Sequence, residues 1–177
     1  MNYNKIDVYS RNDFETKMYS LGLDNENVSE HKDKCFIQVL ETPDCIKHYE
    51  KKYGNEGETN YWFNKCNSDN ILNVAFDDIN EDELKWNNII LYGITDKQAE
   101  EIVNFIEKHK GKNFYISCRA GKSRSQAICK YLLDVYGEEY GYNEKESCRK
   151  DNPCLTPNIN VLTKLKRTFY KKFGLFS

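Results

Sequence analysis

The sequence predicts an α/β fold in which a mostly parallel sheet is covered by helices on both faces. Two observations carry this expectation. Short strand-like segments recur at residues 5–9, 35–40, 71–76 and 113–117, and segments with helical spacing separate them, most clearly at 95–111 and 124–136. Strands that alternate with helices pair in parallel, because each crossover returns the chain to the same sheet edge. At 177 residues, without internal repeats or a low-complexity linker, the chain reads as a single domain over residues 1–177.

The elements follow in order. Lys5 to Tyr9 alternates polar and apolar and reads as a first strand. Asn12 or Asp13 is placed to cap a short helix running to about Ser20, followed by polar loop over 22–33. Cys35–Leu40 reads as a buried strand. Residues 41–70, rich in Lys, Glu, Asn and aromatics, read as a helical turn or two and a long surface loop. Ile71–Phe76 is a strand that stops where the acidic stretch Asp77–Glu83 begins, and residues 84–94 are ambiguous. Thr95 with Gln98 forms a capping box, and Ala99, Ile102, Val103 and Ile106 trace one helical face up to Gly111. A short strand over Asn113–Ser117 and a loop containing Gly121 precede a helix over Arg124–Tyr136, with Ala127, Ile128, Tyr131, Leu132 and Val135 on one face. Pro157 opens a last helix to about Phe173, with Val161, Leu165 and Phe169 inward and a basic, solvated outer face.

Composition excludes several classes. A net charge of −2 gives no global field to draw long nucleic acid or an anionic membrane. No run approaches the roughly 20 apolar residues of a membrane helix, and the N-terminus lacks a signal-peptide core, so a cytoplasmic protein is expected. The seven cysteines and three histidines hold no Cys-x-x-Cys pair and no zinc spacing, and no metal site or disulfide framework is expected.

One cysteine has a context of its own. In Tyr115-Ile116-Ser117-Cys118-Arg119-Ala120-Gly121-Lys122-Ser123-Arg124-Ser125, a cysteine at a strand end is followed by five residues, an arginine and a hydroxyl residue that open a helix. A tight loop entering a helix N-terminus turns backbone N–H groups inward and makes an anion nest. Gly121 permits the backbone this requires, and Arg124 supplies a permanently charged fork for two phosphate oxygens. Such surroundings lower a cysteine from about 8.5 into a range of roughly 3.5–7.5, making Cys118 a nucleophilic thiolate. Ser125 can donate to that thiolate and ease its departure in a second step. A leaving alkoxide or phenoxide needs a proton donor, and Asp77 and Asp78 stand at the end of a strand whose C-terminal edge is shared with Cys118. Asp78 is preferred.

Cys118 to Ser125 resembles the phosphate-binding loop of the cysteine-based protein tyrosine phosphatases of dual-specificity-like type. Phe76-Asp77-Asp78 and Thr156-Pro157-Asn158 are similar to features of the small bacterial and phage members. The resemblance covers about residues 70–170 and implies a four- to five-stranded sheet and two-step hydrolysis without metal or cofactor. It implies Cys118 as nucleophile, Arg124 as phosphate clamp, Ser125 as assistant in breakdown, Asp78 as acid and then base, and the main chain of Arg119, Ala120, Gly121, Lys122 and Ser123 as the phosphate cradle. The family usually carries histidine before the cysteine, where this chain has Ser117. Low-molecular-weight phosphatases and arsenate reductases carry the loop near the N-terminus, unlike this chain. Rhodanese-like folds are a minor alternative.

The expected partner is a phosphorylated protein, phosphotyrosine first. Arg119 and Lys122 add cations beside Arg124 and raise a second possibility, a polyanionic phosphate ester such as an inositol phosphate or phosphoinositide. RNA 5′-phosphate is third. From a different class comes a pseudophosphatase that binds phosphate without turnover.

Overall fold

Four apolar strands and the helices between them fold as the alternation requires. The computed structural model describes residues 4–54, 62–63, 66–137, 139–142 and 156–175. In chain order the elements are β1 (Asn4–Ser10), α1 (Arg11–Ser20), β2 (Lys34–Leu40), α2 (Pro43–Tyr53), β3 (Ile71–Ala75), β4 (Glu83–Trp86), β5 (Ile89–Tyr92), α3 (Asp96–Lys108), β6 (Asn113–Cys118), α4 (Arg124–Tyr136), β7 (Tyr140–Tyr142) and α5 (Ile159–Lys172). The main sheet has five strands in the order β3-β2-β6-β1-β7, and every neighbouring pair is parallel.

Side chains alternate across this sheet. Ile6, Val8, Ile37, Val39, Phe114 and Ile116 face one way and are buried with the apolar faces of α3, α4 and α5. Tyr9, Phe36 and Tyr115 face the other way and pack with Phe14 and Met18 of α1, Leu23, Val28 and Phe63. Helices therefore cover both faces, as expected. Because all strands run the same way, β1, β2, β3 and β6 end on one edge, which carries Arg11, Glu41, Asp77 and Arg119 just past the strand ends.

Several boundaries differ from the sequence reading, each for a local reason. The first helix begins at Arg11, and Ser10 is its cap: Ser10 Oγ accepts from the Asp13 N–H at 3.2 Å, so strand passes into helix with no loop between. The expected helical turn or two after Leu40 is an 11-residue helix, with Pro43 in its first turn. The ambiguous stretch is a separate antiparallel hairpin of β4 and β5, turning on Asn87 and Asn88, whose φ angles of 47° and 64° fit a two-residue hairpin turn. β7, parallel to β1, was not anticipated at all. The capping box on α3 forms as read, but that helix ends at Lys108, and Gly111 serves the following turn at a φ of 86°. The last helix starts after Asn158, whose side chain accepts from the Val161 N–H at 3.0 Å, and not at Pro157. Its basic face is not simply solvated: Lys164, Arg167 and Lys166 meet Asp82, Asp96 and Asp134, each at 2.5 Å. Packing of α5 across α3 and α4 brings those carboxylates within reach. Cys148 and Cys154 lie outside the described residues; the five described cysteines are free thiols.

No helix among the described residues is long and apolar enough to cross a membrane. The described residues hold no group of three or more His, Cys, Asp or Glu side chains able to take a metal ion.

Candidate active site

β6, the central strand, delivers Cys118 as its last residue, and α4 begins at Arg124, so the five residues 119–123 span strand end to helix start. Gly121 sits in the left-handed region at a φ of 65°, where a side chain would be strained. The loop is anchored through its carbonyls. Arg119 C=O accepts from the Arg11 N–H at 3.3 Å, Gly121 C=O from Gln126 Nε2 at 3.0 Å and Lys122 C=O from Thr156 Oγ1 at 3.0 Å. Ser123 C=O accepts from the N–H groups of Ala127 and Asn158 at 2.9 and 3.2 Å.

Cys118 Sγ lies 3.0 Å from Ser125 Oγ, and both residues are buried. Arg124 is 4% exposed. Its Nη1 donates to the carbonyls of Leu40 at 3.1 Å and Phe76 at 2.7 Å, and its Nη2 donates to Glu41 Oε1 at 2.8 Å. The third nitrogen, Nε, is buried with its N–H unpaired among the described residues. An unpaired buried donor costs about 1–3 kcal/mol, and more on a charged group, so this N–H marks where an acceptor belongs.

Glu41, which the sequence reading did not single out, completes this arrangement. Its other oxygen accepts from Arg11 Nη2 at 2.5 Å, so one buried carboxylate joins two guanidinium groups. Burial alone would raise the Glu41 carboxyl, but Arg124 and Arg11 outweigh it and hold the group below the ordinary carboxylate value. Burial likewise opposes the Arg124 charge, and the neighbouring Cys118, Glu41 and Asp78 reverse that, so its pKa is raised.

The two adjacent aspartates occupy different surroundings. Asp77 is 2% exposed and accepts from Thr42 N–H at 3.0 Å, Thr42 Oγ1 at 2.7 Å and Tyr92 N–H at 2.9 Å. It is a structural joint between β3, α2 and the hairpin. Asp78 is exposed and lines the same pocket as Cys118. Its Oδ1 accepts from Ser123 Oγ at 2.7 Å and Asn158 Nδ2 at 2.8 Å, which leaves Oδ2 without a hydrogen bond among the described residues. Asn158 thus ties the last helix to the acidic loop, and its Nδ2 also donates to Ile79 C=O at 3.0 Å.

These side chains share a cavity of about 380 Å³. Cys118 and Arg124 lie in it beside Asp78, and Tyr49 of α2 with Leu84, Trp86 and Leu91 of the hairpin add aromatic and apolar lining. The Arg119 guanidinium lies 3.9 Å from the Tyr49 ring centroid, a cation–π contact that fixes it beside α2. Lys122 is exposed in the same lining, and Ala120 and Ser123 complete the loop there. All sequence-predicted site residues other than Ser125 and Gly121 line this one cavity, and Ser125 reaches it through its contact with Cys118. Trp86 had no sequence signal beyond the hairpin itself, which Asn87-Asn88 between two four-residue apolar-containing runs would have revealed. Cys45 also lines the cavity, but burial first, and Asp77 second, push its thiol up to about 12. No protein-family model, curated protein or solved structure matches the chain.

Proposed function

We propose that this chain hydrolyses phosphate monoesters through a phospho-cysteine on Cys118, as a protein tyrosine or dual-specificity phosphatase of the cytoplasm. The observation that carries the reading is the buried Arg124, whose unpaired Nε–H stands at the loop of a cysteine already in contact with a hydroxyl group. In the first step the Cys118 thiolate attacks phosphorus and the ester oxygen departs, taking a proton from Asp78 Oδ2. Arg124 and the N–H groups of residues 119–123 hold the equatorial oxygens as charge builds. In the second step water attacks the phospho-cysteine, Asp78 accepts its proton, and the thiolate leaves with a hydrogen bond from Ser125. Inorganic phosphate is released and the enzyme is restored. The aromatic lining from Tyr49 and Trp86 favours an aryl ester, hence phosphotyrosine.

The test is hydrolysis of para-nitrophenyl phosphate and a phosphotyrosine peptide in the presence of chelator. Parent enzyme should turn over both. Cys118→Ser should bind phosphopeptide yet release no phosphate, and undiminished turnover by that variant would overturn the mechanism.

A further inference from the structure

Lys47, Lys51 and Lys52 of α2 differ from the three cations in the middle of α5. On α5, Lys164, Lys166 and Arg167 each meet a carboxylate. The three α2 lysines meet none among the described residues, although the chain as a whole is acidic. They line a groove of about 810 Å³ between α2 and the β4–β5 hairpin, with Asp44 the one carboxylate in its lining. Ile89, Ile90 and Tyr92 of the hairpin line it too, and Ile90 and Tyr92 are 37% and 43% exposed. Ammonium groups from the helix and apolar side chains from the hairpin make the groove amphipathic.

The groove adjoins the catalytic pocket, because α2 and the hairpin line both. Tyr49 and Trp86 contribute to the pocket. His48, which lines the groove, packs on Trp86 with ring centroids 4.9 Å apart. Arg119, held over Tyr49, and exposed Lys122 continue the positive charge at the pocket.

We infer that the α2–hairpin groove docks an acidic polypeptide segment flanking the phosphorylated residue, a substrate preference that rests on the phosphatase reading. Lys47 and Lys52 are about 7.5 Å apart along the helix axis, the reach of two to three extended residues. The segment therefore carries two or three carboxylates near the phosphate, with an apolar side chain between them for the hairpin wall. Nucleic acid fits less well: three lysines fall short of the roughly 6–10 phosphate contacts of a strong site, and a phosphodiester chain leaves the apolar wall unused.

The experiment uses the full chain and a fluorescein-labelled, unphosphorylated peptide of alternating Glu and Leu, followed by anisotropy. The triple reversal Lys47→Glu, Lys51→Glu, Lys52→Glu should weaken binding at least about tenfold, since each exposed ion pair contributes up to roughly fivefold. The triple alanine variant should move the same way by less, which guards against misfolding of the reversal. Raising salt should weaken the parent complex as the Debye length falls from about 10 to 3 Å between 0.1 and 1 M. With phosphotyrosine peptides, the parent should favour acidic flanks over neutral ones about fivefold or more through KM, and the variants should lose that preference while hydrolysing para-nitrophenyl phosphate normally. Unchanged peptide binding in both variants, or tighter binding of a single-stranded RNA of equal charge, overturns the docking site. Peptide binding that depends on the lysines, in a chain that hydrolyses no aryl phosphate, overturns the phosphatase reading and leaves the docking site standing.

Discussion

Replacing Glu41 by Gln tests the buried charge relay beneath the phosphate loop. Glu41 is 5% exposed and bridges Arg11 and Arg124, whose side chains are 19% and 5% exposed. Removing one partner of a buried ion pair costs about 3–5 kcal/mol, because the other charge stays buried uncompensated. The amide keeps one acceptor oxygen, and Arg124 keeps the carbonyls of Leu40 and Phe76. The expected loss is therefore at the lower end, about 3 kcal/mol. In a domain of this size that is a fall in Tm of roughly 6–12 °C. The pH dependence follows from the direction of the shift. Glu41 is held below its ordinary value of 4.5 in the folded chain, so its stabilisation is complete above that value and is lost as pH falls through the folded value. Gln carries no such dependence. Urea unfolding of both proteins from pH 7 to pH 3.5 should show a gap that is constant down to about 4.5 and then narrows. A gap below about 1 kcal/mol at pH 7, or one that does not narrow in acid, would refute the argument.

Four further outcomes follow from the structure. Asp78→Asn should slow hydrolysis of esters with poor leaving groups by about 10²–10⁴-fold and of good leaving groups far less, with stability retained. Asp77→Asn should instead lower stability by about 2–4 kcal/mol, since it disturbs three hydrogen bonds to a buried carboxyl group; leaving-group dependence in that variant alone would reverse the assignment. Gly93→Ala should destabilise by about 1–3 kcal/mol, because its Cβ would stand 2.2 Å from the Glu81 carbonyl oxygen, a backbone atom that cannot swing aside; a Tm equal to that of the parent would contradict this. Cys35 and Cys45, both pushed up to about 12 by burial, should stay unmodified by iodoacetamide at pH 8 in the folded chain, as read by mass spectrometry.

What the sequence made legible was local. Strand–loop–helix context singled out the Cys118 segment, and the periodicity of α3 and α4 named their buried faces correctly. Glu41 escaped notice because its meaning lies in Arg124, 83 residues away, and a lone glutamate after a strand carries no pattern. Asp77 and Asp78 look alike in sequence and part company only when Thr42 and Tyr92 close around one while Ser123 and Asn158 hold the other. The hairpin was missed for a different reason. Its strands are only four residues long and none of their residues is fully buried; β4, Glu-Leu-Lys-Trp, is half charged, and the four apolar residues of β5 alone are too few to tell strand from helix. The ion pairs of Lys164, Lys166 and Arg167 leave no mark on the α5 sequence, because their partners come from the acidic loop, from α4 and from the first turn of α3.

The place of β6 at the centre of the sheet has a consequence for biosynthesis. β1 and β2 do not touch each other in the sheet; each hydrogen-bonds to β6, which is made about seventy residues after β2 is complete. At 5–20 residues per second, a ribosome leaves both strands with an unpaired inner edge for roughly 4–15 s. Their sequences, Lys-Ile-Asp-Val-Tyr and Cys-Phe-Ile-Gln-Val-Leu, are apolar enough to seek other edges in that interval. The strand that brings Cys118 is thus also the one that ends the nascent chain's exposure to aggregation, and slowing translation just upstream of residue 113 should lower the soluble yield far more than the same pause placed after residue 123.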